Sequence, residues 1–237
     1  SLGDHSREVI VLLASVSKFT SVSLLMAIDE DDSLEFDLDA PIGNYLPWVG
    51  VYGDRTAAQL VSNTSGIPGI GGDTEQHACQ YDADDSFERC AMHIYATELP
   101  GTNPPETIFD YGSSQWHLAG AVAAQVTNSE LNQALDRYIG EPCALEIYEV
   151  GNTADDPEQF TGDPESLTGR SNAHAGGGAM TSMQDMASVL LLHIRQGMCG
   201  DNRVLSPEAV ATMQIDRKGD LPSRLSIFEE RSYGMGW

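Results

Sequence analysis

Lysine is almost missing from this chain: Lys18 and Lys218 are the only two among its 237 residues. Basic residues number 12 against 36 acidic ones, giving a formal charge of −24, and the acids are spread along the chain rather than gathered in a tail. Phosphate backbones and anionic lipid surfaces need a basic face, so nucleic acid and membrane surfaces are excluded as partners. Long apolar runs are missing too. Val9 to Ala14 is too short to cross a bilayer, and no charged-then-apolar leader precedes it. The chain also has no Cys-x-x-Cys and no His-rich cluster, so nothing in it spells a zinc site, and no cofactor is implied.

What is present starts with the acids. Asp and Glu in such excess over Lys make the surface of a protein that stays soluble in high salt, and equally of an acidic extracellular protein. Cys79, Cys90, Cys143 and Cys199 allow three pairings if all are oxidised. Cys79 and Cys90 bracket a polar loop and are the pair to join first. A disulfide places the protein in a secreted or periplasmic setting, with any leader already removed, whereas four thiols would mark a cytosolic enzyme.

Chemistry is densest in Ala14-Ser15-Val16-Ser17-Lys18-Phe19-Thr20. A hydroxyl and an amine three residues apart share one helical face. At a helix head, free N–H groups favour the alkoxide that a nucleophilic Ser15 must approach. Burial among Val22, Leu24, Leu25 and Met26 disfavours the Lys18 ammonium, lowering its pKa from about 10.4 and leaving an amine able to take a proton. Four residues alone read more readily as a helix cap followed by a snorkelling lysine.

Along the rest of the chain, Val9 to Leu13 reads as a short strand, and Ser15 to Ile28 as a helix apolar on nearly all sides, which suits a domain centre. Thr56 caps a helix over Ala57 to Ser62, and Gly66 permits a left-handed turn that Pro68 stiffens. Gly71 to Pro105 is a long polar connection with a helix around Phe87 to Thr97, read as a wall over the site; its His77 and His93 read as solvated. Tyr111 stands just before a helix over Gln115 to Val126 that Ser113 or Ser114 can cap. Ser129 is the expected cap of a helix Glu130 to Ile139, closed by Gly140 and Pro142. Gly151 to Gly169 is acidic and irregular. Ser182-x-x-Asp185 opens a helix running to Arg195, and Ser206-Pro207 opens another to about Met213.

Several of these segments carry a resemblance. Ala14 to Thr20, followed by Leu38-Asp39-Ala40-Pro41-Ile42 and Tyr45-Leu46-Pro47, resembles the opening of the helical region in the serine β-lactamase and penicillin-binding-protein superfamily. Thr64-Ser65-Gly66-Ile67-Pro68 resembles its Thr-Ser-Gly-Leu-Pro turn. Phe109-Asp110-Tyr111-Gly112-Ser113 resembles its Tyr-x-Asn element. Ala175-Gly176-Gly177 with Thr181-Ser182 and Asp185-Met186-Ala187 resembles its glycine-rich landmark, and Tyr233-Gly234-Met235-Gly236-Trp237 its Tyr-Gly-Leu-Gly-Trp strand. Within the superfamily the likeness is closest to class C β-lactamases and family VIII esterases.

The resemblance implies an α/β (α+β) fold, a helical region packed on an antiparallel sheet, in a single catalytic domain over 1–237, with 15–170 mainly helical and 171–237 returning towards the sheet. It implies an acyl-enzyme mechanism in which Ser15 attacks, Lys18 and Tyr111 share the proton transfers, and Ser113 positions a small-molecule acyl substrate. Tyr111 would then act with a pKa lowered by Lys18. Ser113 stands where the family has Asn, and a hydroxyl lacks an amide's reach, so a carboxylic ester is expected ahead of a β-lactam or a D-alanyl peptide. The family's Lys-Thr-Gly or His-x-Gly tripeptide is not in its expected place, and room for the early strands is short. A fragment, a second polypeptide completing the sheet, or an inactive binding homologue would each account for this. The first is the expectation, with a strand bearing His-x-Gly or Lys-x-Gly beyond Trp237.

Overall fold

A computed structural model describes residues 6–154 and 156–236. Three strands form the main sheet: β1 (Ile10–Leu12), β2 (Tyr148–Val150) and β3 (Ala179–Ser182). Their order is β1-β3-β2, both pairings antiparallel, with Ile10 opposite Ser182 and Val150 opposite Ala179. β4 (Met198–Cys199) and β5 (Asn202–Arg203) make a separate hairpin. The sheet is small, so most of the core is helical.

That core is organised around α1 (Ser17–Asp29), in which every residue from Thr20 to Ile28 is buried. A helix apolar on all sides needs neighbours on all sides. α1 finds them in α2 (Ala57–Val61), α4 (Ser114–Thr127) and α5 (Leu131–Leu135). α3 (Phe87–Ala96) packs behind α4. α6 (Glu141–Cys143) prolongs α5 through a π turn at Asp136–Gly140, and α7 (Met183–Ile194) and α8 (Pro207–Gln214) complete the chain order. The polar residues of α1 are satisfied by specific partners, as burial requires. Ser21 Oγ donates to Ala175 O (2.7 Å), and Ser23 Oγ lies 3.1 Å from His193 Nε2.

Several expected boundaries hold. Thr56 caps α2 in a reciprocal box with Gln59, Ser182 and Ser206 cap α7 and α8, and Gly66 adopts φ +77°. Others shift. Ser15 falls in a 3-10 turn, Ala14–Val16, one step before α1. Glu130 rather than Ser129 caps α5, boxed with Gln133, because Ser129 Oγ is engaged with Thr127 Oγ1 at 2.8 Å. Gly140 and Pro142 do not close that helix, which continues to Cys143 before Ala144 turns left-handed at φ +51°. His77 is not solvated: it is fully buried, bonded to Ser114 Oγ (3.0 Å) and Thr97 O (2.8 Å).

The expected strand at Tyr233–Trp237 is not a strand over its described residues, and Trp237 lies outside them. Its backbone bonds go to helix ends instead, Met235 N to Met213 O (2.8 Å) and Gly236 N to Val61 O (3.1 Å). Cys79 and Cys90 form the expected disulfide, and Cys143 pairs with Cys199.

Candidate active site

The turn carrying Ser15 is clamped from both flanks. Leu13 N donates to Ala179 O (2.8 Å), and Ser17 Oγ donates to Ala14 O (2.6 Å) while accepting from Ala179 N (3.0 Å). Between these bonds Ala14 is held at φ +45°, a left-handed conformation that costs an L-residue about 1–2 kcal/mol. The result presents Ser15 exposed at the head of α1.

Lys18 lies beneath it, 3% exposed. Its Nζ is 3.4 Å from Ser15 Oγ and donates to Gly176 O at 2.5 Å. It also sits 4.8 Å from the centroid of the Tyr111 ring and 5.3 Å from that of Trp116. Aromatic faces attract an ammonium, but desolvation outweighs them and the amine's pKa falls to about 7. The bare turn that approaches Lys18 needs its glycine: a Cβ on Gly176 would press to 2.9 Å of Trp116 Cβ and 3.5 Å of Lys18 Nζ.

Tyr111 reaches the same point from a segment nearly a hundred residues away. Its carbonyl accepts from Ile70 N (2.7 Å), and the preceding Asp110 N bonds Asn63 O (2.9 Å). The phenol interacts with the Ser15 side chain. Its pKa is raised, not lowered as expected, because burial dominates and Ser15 only partly offsets it. Lys18 supplies no such downward pull, since burial disfavours its own charged form and its amine lies over the ring. Tyr111 therefore keeps its proton at neutral pH.

Ser113 stands two residues on, half-buried, as the N-cap of α4, where its hydroxyl makes no capping bond. His174 lies behind the glycine turn, 6% exposed and edge-on to Tyr81, its pKa pushed down to about 3 by burial. It stays neutral at neutral pH.

Three supporting groups were given no role around Lys18 by the sequence reading. Gly176 gives Lys18 its carbonyl acceptor, Trp116 walls the amine, and Asn63 Oδ1 orients that wall by accepting from Trp116 Nε1 (3.1 Å) and Gln115 Nε2 (2.9 Å). Only the glycine run signalled any of them. Among the described residues, the one grouping of metal-ligand type is Cys79, Asp85 and Cys90, and both its sulfurs are spent in a disulfide. A cavity of about 500 Å³ lined by Trp48, Phe87, Gln125, Asn132 and Arg170 is a separate feature that includes neither Ser15 nor Lys18 nor Tyr111.

The fold is shared with solved structures. A candidate beta-lactamase from Bacteroides dorei DSM 17855 superposes with a TM-score of 0.75 at 22% identity, covering 99% of this chain and 67% of the other. EstCE1, a hydrolase with promiscuous acyltransferase activity, gives 0.73 at 19% identity, over 98% of this chain and 69% of its own. A family VIII carboxylesterase gives 0.67 at 20% identity, over 89% and 62%. This chain thus spans about two thirds of their lengths. A search of curated proteins finds no match. The family model described as Beta-lactamase matches residues 4–237, nearly end to end, and the chain belongs to the beta-lactamase family.

Proposed function

We propose that the protein is a serine hydrolase that cleaves a carboxylic ester, or a related small acyl compound, through an acyl-enzyme. The observation that carries this reading is a buried amine with a pKa of about 7 placed 3.4 Å from an exposed hydroxyl. Keeping an amine out of water costs stability, and a neutral amine beside Ser15 is a general base. Lys18 takes the Ser15 proton as Oγ bonds to the substrate carbonyl carbon. The carbonyl re-forms as the C–O bond to the alcohol breaks. The alcohol leaves with a proton delivered from Lys18 through the protonated Tyr111. Water, losing its proton to the same pair, then releases the acid and restores Ser15.

Ester is favoured over β-lactam because Ser113 offers a single hydroxyl where an amide would grip the substrate's amide. Likeness in fold to a family VIII carboxylesterase and to EstCE1 points the same way. Two disulfides support an oxidising, secreted or periplasmic setting.

Labelling the full-length protein with a fluorophosphonate and measuring intact mass tests the reading. A single adduct that disappears in Ser15→Ala is expected, together with turnover of a short-chain nitrophenyl ester ahead of a chromogenic cephalosporin. Absence of any adduct would leave a non-catalytic binding homologue; faster cephalosporin turnover would make it a β-lactamase.

A further inference from the structure

We propose that the cavity between α3, α4 and the head of α5 is a second ligand site, separate from Ser15, that takes a small organic cation with an aromatic or alkyl body. The proposal does not depend on the hydrolase reading.

At about 500 Å³ the cavity is of the size that holds a small organic molecule. Small side chains leave it open: Ala121 and Ala124 line it from α4, and Ala173 from the chain after Arg170. Gly120 lets Phe87 come close to α4, since a Cβ there would lie 3.2 Å from Phe87 Cζ.

The two aromatic rings of the lining are braced from behind. Phe87 is half-buried and leans on the buried His117, ring centroids 4.5 Å apart. Trp48, also half-buried, meets Tyr95 edge-on at 6.3 Å. Rings held in this way give a ligand a preformed surface, which lowers the entropy lost on binding.

Charge then decides the ligand. The lining holds three charged residues, Glu88, Glu130 and Arg170. Arg170, its one cation, is committed: Nε meets Glu149 Oε1 at 2.7 Å, and the guanidinium also donates to Pro164 O (2.7 Å). Arg89 follows Glu88 in sequence but lies outside the lining, paired with Asp85. The Glu88 carboxylate and the Gln125 amide have no ion-pair or hydrogen-bond partner among the described residues. Two carboxylates and two aromatic rings around one space suit an ammonium group, which is attracted by both. An anion would meet both carboxylates without an uncommitted cation, and the formal charge of −24 adds to that bias.

Isothermal titration calorimetry of the full-length protein with 2-phenylethylammonium, 2-phenylethanol and phenylacetate tests the site with probes of similar size and different charge. The wild type should bind the ammonium roughly tenfold more tightly than the alcohol, and phenylacetate not at all. Ala124→Leu, which fills the cavity, should weaken ammonium binding by at least roughly tenfold, and Glu88→Gln roughly three- to tenfold. Glu88 is exposed in the first turn of α3, so its variant keeps the test sharp even if the leucine unsettles α4. Glu208→Gln, which removes an exposed acid from the first turn of α8 outside the lining, should leave the affinity unchanged. Three results would each overturn the site: no binding of the ammonium by the wild type, equal affinity for ammonium and alcohol, or wild-type affinity in both Ala124→Leu and Glu88→Gln. Fluorophosphonate labelling of Ser15 is read separately and is untouched by any of them.

Discussion

The protein's two lysines are buried to the same degree, Lys18 at 3% and Lys218 at 2% exposure, yet the two regions use them in opposite ways. Lys218 is enclosed by its own loop and spends its amine on two backbone carbonyls, a bond pattern that ties limbs together. Lys18 has one carbonyl, two aromatic faces and the Ser15 hydroxyl. Burial alone therefore does not make a lysine catalytic. What separates them is whether the amine still has a hydroxyl within reach and an opening to solvent beyond it.

Breaking the comparison at Lys18 should give the largest effect. Lys18→Met, of similar length and apolar, should lower kcat on a nitrophenyl ester by about 10²–10⁴, the scale of a lost general base. It should also melt at a higher temperature than wild type, because the buried amine no longer has to be desolvated. A variant both inactive and less stable would show that Lys18 serves structure instead.

Proton linkage sharpens the same point. The folded pKa of Lys18 is about 7 against 10.5 for a lysine in water, so between these pH values the unfolded chain binds the extra proton. Stability should accordingly rise with pH across that window, by as much as roughly 1.4 kcal/mol per unit from this one group, and level off above it. Denaturant titrations of wild type and Lys18→Met at several pH values would isolate the difference. The catalytic rate of the wild type should instead climb as pH rises through about 7, where the folded amine loses its proton, and level off above it.

Lys218→Met should give the smallest effect, a loss of about 1–3 kcal/mol from two orphaned carbonyl partners, read as a lower melting temperature and faster proteolysis within 217–232. Its kcat on acetate esters should fall far less than that of Lys18→Met. An equal fall in both would erase the distinction drawn between the two regions.

Legibility in the sequence followed range. Ser15 and Lys18 could be paired from spacing because three residues along a helical turn fix their geometry, and the structure brings them within 3.4 Å. The caps at Thr56, Ser182 and Ser206 were legible for the same local reason. Ser129 misled because its hydroxyl had a competing partner, Thr127, folded back within two residues. Tyr111 was placed through likeness to a family motif, and its place is kept, but the direction of its pKa shift was read wrongly. That sign depends on how much water and charge surround the phenol, which no motif encodes.

By itself the sequence determined the acidic surface, the apolar helix with an amine at its head, the glycine-rich turn and the local caps, since each follows from composition or from neighbours a few residues apart. Only the tertiary structure decided that Gly176 and Trp116 enclose Lys18 with Asn63 holding Trp116, that Phe228 covers Tyr111, and that Tyr233–Gly236 bonds to helix ends rather than to a strand. These depend on desolvation and on hydrogen-bond partners drawn from distant segments, and both are properties of the packed chain.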